Sequence, residues 1–238
     1  MNIDKSKIKG IIFDYGGTLD TRGNHWGKVL WHGYERTGVP VGEQDFRDAY
    51  VYGERTLATS PIVKPDFTFR DTLQAKIRLQ LQWLEEKRNL GDATGYLKRI
   101  LDDVYQQTMQ TTKESALVLE ELAKKYPLVL VSNFYGNIAT VLREFSLDHL
   151  FGDIIESAVV GIRKPDARIF ALGVERLGMK AEEVAVVGDS YDKDILPSHS
   201  IGCHTIWFKG EGWTDEVVEN PVADKVIGSL KEILSLAE

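Results

Sequence analysis

The chain has 238 residues, 43% hydrophobic and 27% charged, enough for one large domain or a core domain with a smaller companion. A net charge of −7 argues against a broad nucleic-acid-binding face, which needs clustered Lys and Arg. The single cysteine, Cys203, excludes an intrachain disulfide and points to a reducing compartment.

The opening MNIDKSKIKG is polar and has no apolar signal core. No stretch approaches the apolar length needed to span a bilayer, so a cytoplasmic protein without a membrane partner is expected. The first strand is expected over 8–13, an apolar run that ends abruptly in Asp14 and the loop YGGTLD. Residues 25–110 then show no convincing strand. Helices are expected over 26–37 and 43–57, broken by Gly38-Val39-Pro40, and over 69–88 and 92–110. Leu73, Ile77, Leu81 and Leu84 fall on one helical face, and SPIVKPDF at 60–67 reads as a loop. Trp26, Trp31, Tyr34, Tyr50 and Tyr52 are assigned mainly to the core of this bundle, with one or two facing a pocket.

From 114 onward the texture changes. A helix over 114–125 precedes a strand over 128–133. Then come a helix over 136–145, a short apolar run at 153–156 and a helix over 166–177. Strands over 184–190 and 203–208 and a last helix near 229–237 complete the series. Short β-branched runs alternating with helices indicate an α/β, Rossmann-like parallel sheet covered on both faces. The first strand belongs to this set. The expected organisation is therefore an α/β core of residues 1–22 and 111–238, with a helical bundle, 23–110, inserted after the first strand.

In an open parallel sheet, ligands bind beyond the carboxyl ends of the strands. Those positions hold Asp14, the pair Ser132 and Asn133, and Asp189, with Asp192 and Asp194 close behind. Lys164 lies between them in GIRKPD. Carboxylates on neighbouring strands repel each other unless a cation sits between them. Mg²⁺ suits such a site, since it takes oxygen ligands and often only one or two protein carboxylates beside a phosphate oxygen. Ser132 and Asn133 can hydrogen-bond phosphoryl oxygens, and Lys164 adds a point charge for the same oxygens. Asp14 is then placed to attack phosphorus.

At these residues the chain resembles the haloacid dehalogenase-like hydrolase superfamily. FDYGGTLD, VSN, GIRKPDARIF and VGDSYDKDI are similar to its four motifs, in order, and the likeness covers nearly the whole chain. The resemblance implies that the inserted bundle is a cap that closes over the site and selects the substrate. It implies that Asp14 is the nucleophile and a Mg²⁺ ligand, passing through an aspartyl-phosphate. By the same likeness Gly16 would offer its carbonyl to the metal, Asp189 and Asp194 would complete the metal site, and Ser132 and Lys164 would hold the phosphoryl group. Thr18 matches the small hydroxyl residue that ends the first motif. The expected substrate is a small phosphorylated metabolite.

Gly16 departs from the pattern. Phosphatases of this superfamily usually carry a second Asp there, which protonates the leaving oxygen and then deprotonates water. Such assistance is worth roughly 10²–10⁴-fold. Three readings follow. Another group substitutes, with Asp20 nearest in sequence and His25 and Asp192 also considered; or the protein is a slow or narrow phosphatase; or it binds phosphorylated ligands or a partner with little turnover. A 2-haloacid dehalogenase also lacks the second Asp, but the acids of VGDSYDKD speak for a metal site and against that reading.

Overall fold

A computed structural model describes residues 4–214 and 217–237. Six strands form one parallel sheet in the order β3-β2-β1-β4-β5-β6: β1 Gly10–Phe13, β2 Leu128–Ser132, β3 Asp153–Glu156, β4 Val184–Gly188, β5 His204–Phe208 and β6 Lys225–Ile227. The α/β, Rossmann-like core expected from the sequence is thus present, with a sixth strand at the edge. Phe13 is in register with Leu130 of β2 and Val187 of β4, so these three central strands end together.

The strands read as unbroken apolar runs because both faces are covered. Ile11, Phe13, Leu130 and Val187 join one buried cluster, which continues into the helical block. Ile12, Val131 and Val186 join another, packed against Ile169 and Phe170 of a covering helix, Arg168–Leu177. Side chains alternate across the pleat, so neighbours in β1 serve opposite layers.

Four helices precede β2: α1 Trp26–Arg36, α2 Glu43–Thr59, α3 Phe69–Arg88 and α4 Ala93–Ala123. Thr68 and Asp71 form a reciprocal capping box at the start of α3, and Asn89 ends it in the left-handed region. α3 buries Leu73, Ile77, Leu81 and Leu84, as its spacing predicts, and also Lys76 and Gln80.

The expected break at 110–114 does not occur; α4 runs unbroken for 31 residues. Thr111 and Thr112, in that expected gap, are both buried, and their hydroxyls donate back to the carbonyls of Gln107 and Thr108. The side chains thereby satisfy themselves on the helix instead of competing with it. Ser115 Oγ donates to Leu19 O at 2.8 Å, which ties α4 to the loop after β1. The last expected helix is a 3₁₀ segment, Leu230–Leu236. Among the described residues no helix is long and apolar enough to cross a membrane.

The loop after β5 reaches across to the helical block. The Trp213 ring packs on Tyr50 at 4.9 Å and His25 at 5.2 Å, and the Arg47 guanidinium covers it at 3.9 Å. In the same loop Glu211 meets His32 of α1 at 2.7 Å.

Candidate active site

Because β1, β2 and β4 are neighbours, the residues at their carboxyl ends converge. Asp14 follows β1, Ser132 ends β2 and Asp189 follows β4. Lys164 comes from the loop before the helix Arg168–Leu177, and Asp194 from one π-helical turn, Tyr191–Ile195. Asp14, Gly16, Asp20, Asn133, Lys164, Asp189 and Asp194 line one cavity of about 180 Å³.

Lys164 Nζ lies 2.6 Å from Asp14 Oδ1 and 2.6 Å from Asp194 Oδ1, with all three side chains buried. Thr18 Oγ1 is 3.2 Å from both Asp14 Oδ2 and Asp189 Oδ1; with one proton, it donates to one of them at a time. Asp194 Oδ2 accepts from the Ser190 N–H at 3.0 Å, which fixes its orientation.

One oxygen from each of Asp14, Asp189 and Asp194 falls within a 4.8 Å cluster. Burial raises the Asp14 pKa to about 6 against the pull of Lys164. Burial, reinforced by the charges of Asp14 and Asp194, pushes Asp189 well above the usual carboxylate range. Three acids thus share one ammonium, and a second cation would relieve the repulsion. A hard, all-oxygen donor set of this kind fits Mg²⁺. The backbone makes room for it: a Cβ on Gly17, which has φ +104°, would lie 2.4 Å from the Asp189 carboxyl. A Cβ on Gly188 would lie 2.4 Å from that of Asp194.

The Ser132 hydroxyl is buried without a hydrogen-bond partner among the described residues. Such a group costs about 1–3 kcal/mol when left unpaired; Ser132 sits just before Asn133 in sequence and does not itself line the cavity. Asn133 is differently engaged. Its Nδ2 donates to Lys164 O at 3.1 Å, and its Oδ1 accepts from the Lys164 N–H at 3.0 Å. The amide expected to face phosphate clips the backbone of the buried lysine.

Asp20 Oδ1 accepts from the Gly17 N–H at 2.7 Å and Oδ2 from Trp26 Nε1 at 3.0 Å. Burial pushes its pKa up to about 8, outweighing the two N–H donors that favour the charged form. Above Gly16 there is space: an added Cβ would meet only the Trp26 ring, at 3.8 Å. His25 also lines the cavity, but burial lowers its pKa to about 4, and Nδ1 accepts from the Gly27 N–H. It is a neutral helix cap and holds no proton to give at pH 7. Asp192 does not line the cavity.

Of the five bundle aromatics named from the sequence, Trp26 and Tyr50 line the cavity, and Phe69 of α3 lines it with them. Tyr52 is exposed rather than core. Sequence reasoning missed the opposite wall, built by Lys76, Glu54 and Tyr135. The signal was present in α3, where Lys76 interrupts an otherwise apolar stripe.

A family profile described as haloacid dehalogenase-like hydrolase matches residues 8–202. The glyceraldehyde 3-phosphate phosphatase of Methanocaldococcus jannaschii is 35% identical over 88 residues, covering 37% of this chain and 38% of that protein. The haloacid dehalogenase-like hydrolase domain-containing protein 3 of Mus musculus is 29% identical over 142 residues, 57% of each chain. The chain therefore spans less than two thirds of the length of these relatives. A crystal structure described as that of a dehalogenase shares the fold over 98% of both chains, with TM-score 0.65 and 18% identity.

Proposed function

The chain belongs to the haloacid dehalogenase-like hydrolases, and from that premise we propose that it is a Mg²⁺-dependent, cytoplasmic phosphatase of a small phosphorylated metabolite. The observation that carries this reading is the cluster of three carboxylates, two of them paired with one buried lysine. The phosphatase names of relatives such as that of M. jannaschii support it. In this reading residues 1–22 and 111–238 form the catalytic core and 23–110 the cap.

Asp14 and Asp189, with the Gly16 carbonyl and Asp194, would hold the metal. When bound, Mg²⁺ supplies positive charge to the phosphoryl oxygens and offsets the repulsion among the acids. Lys164 keeps Asp14 ionised and oriented, and Ser132 donates its unpaired hydroxyl to a phosphoryl oxygen. Asn133 acts through Lys164, whose backbone it holds.

An Asp14 oxygen attacks phosphorus; the new O–P bond forms as the ester P–O bond breaks. The departing alkoxide takes a proton from Asp20, whose pKa of about 8 keeps it protonated at pH 7. Water then attacks the aspartyl-phosphate and gives its proton to Asp20. Phosphate leaves and Asp14 is restored. Asp20 thus stands in for the acid missing at Gly16.

The test is phosphate release from a broad panel of phosphomonoesters, with Mg²⁺ and with chelator. Mg²⁺-dependent release that Asp14→Asn abolishes supports the reading. Absence of release across the panel overturns it, and metal-independent chloride release from a 2-haloacid would replace it.

A further inference from the structure

Among the described residues only two lysines are buried, Lys164 and Lys76, and both line the same cavity. Lys164 has two carboxylate partners. Lys76 has one, Glu54, whose Oε1 lies 2.7 Å away but gains no aligned hydrogen bond. Glu54 Oε2 is taken by the Tyr135 hydroxyl at 2.9 Å. The Lys76 ammonium is walled by the rings of Trp26 and Tyr135, 5.8 and 5.6 Å from their centroids. An ammonium carries three donors, so N–H bonds are left to face the cavity.

Burying such a cation is costly unless something uses it. Burial opposes its charge, but Glu54, Tyr135 and Tyr50 outweigh that and hold the pKa above the usual lysine range. It is therefore a fixed cation, not an amine nucleophile. The rim repeats the sign. Besides the acid cluster and Asp20, the cavity is lined by Lys76, Arg163 and Lys193 against the carboxylate of Glu54. His25 beside them is neutral. The cavity is smaller than the roughly 300–1,000 Å³ of drug-sized pockets, so it suits a small ligand.

We propose that Lys76 is a specificity-determining residue that receives a second anionic group of the substrate, making the preferred substrate a phosphate ester of a small carboxylic acid. This rests on the phosphatase reading: Lys164 and the acid cluster take the phosphoryl end, and Lys76 takes a carboxylate at the other.

The test compares 3-phosphoglycerate with glycerol 3-phosphate, which differ in a carboxylate against a hydroxymethyl. Wild type should favour 3-phosphoglycerate in kcat/KM by tenfold or more. Lys76→Met should lower that ratio at least tenfold, through KM for 3-phosphoglycerate. Lys76→Arg, which keeps the cation, should retain most of the preference. No preference in wild type, or equal losses on both esters in Lys76→Met, overturns the proposal. Thermal-shift titration of Asp14→Asn, with and without Lys76→Met, reads binding of the same two esters without turnover. If wild type hydrolyses no ester, the phosphatase reading fails. The binding difference, kept or lost with Lys76, still decides the inference.

Discussion

Asn133 and Lys164 clasp each other through two hydrogen bonds, side-chain amide to backbone N–H and C=O. The clasp joins the end of β2 to the loop that delivers the buried ammonium to Asp14 and Asp194. Breaking it with Asn133→Leu leaves a buried N–H and C=O unpaired, at about 1–3 kcal/mol. We expect kcat to fall about 10–100-fold, since small misplacements of a catalytic group cost this much. Steady-state kinetics beside a thermal melt checks this; wild-type kcat in a folded variant would refute it.

Ser132→Ala should separate binding from stability. The hydroxyl has no partner among the described residues, so its removal should leave the melting temperature of the free protein unchanged or raised. KM for the ester should rise several-fold. A large drop in melting temperature would mean that the hydroxyl has a structural partner.

Asp189→Asn removes one of three mutually repelling acids. Without metal, the variant should melt higher than wild type. Wild type should gain stability with Mg²⁺ as RT ln(1 + [Mg²⁺]/Kd), about 2.7 kcal/mol at 100 Kd. The variant should lose that gain. Calorimetry over a Mg²⁺ series reads both effects, and an undiminished Mg²⁺ response in Asp189→Asn would count against the site.

Asp20→Asn tests the proton donor. The rate should fall about 10²–10⁴-fold, and the alkaline limb of the pH profile, set in wild type near Asp20's pKa of about 8, should disappear. A lowered melting temperature with an intact limb would reduce Asp20 to a loop staple between Gly17 and Trp26. Gly16→Asp is sterically admissible, since only Trp26 stands near its Cβ. In the Asp20→Asn background it should restore part of the lost rate.

His32 sits between Glu35, at 2.8 Å, and Glu211, at 2.7 Å, and both raise its pKa. The sign follows from linkage. The pair's stabilisation is full below the unfolded value of about 6.5 and is lost as pH rises through the folded pKa. The ring is well exposed, so solvent screening limits the effect to about 0–1 kcal/mol. His32→Gln should flatten this part of the pH–stability curve, as urea melts between pH 5 and 9 would show.

Much of this was legible because period and punctuation agreed. The β1 run ending in Asp14, the Leu73–Leu84 stripe and the strand-end acids each carry a local signal. What was not legible depends on partners distant in the chain. The helix is expected to stop at 110 and resume at 114, because the return bonds of Thr111 and Thr112 to α4 carbonyls cannot be seen in a string of letters. Asn133 read as a free donor because its partner lies 31 residues on. Lys76 stood in plain view inside an apolar stripe, but its meaning needed Glu54 and the cavity wall.

The unbroken α4 has a mechanical consequence. At 1.5 Å per residue it is a rod about 46 Å long. It has no joint at 110–114, so closure of the helices it carries would require the rod to tilt. For a rod of that length, a swing of about 5° at its foot carries the far end about 4 Å. The foot is braced where Tyr126 and Lys125 donate to Leu236 O, on the 3₁₀ segment near the chain's end. If the proposed cap closes by such a tilt, loosening the brace at Leu236 should alter entry to the cavity without touching any residue that lines it.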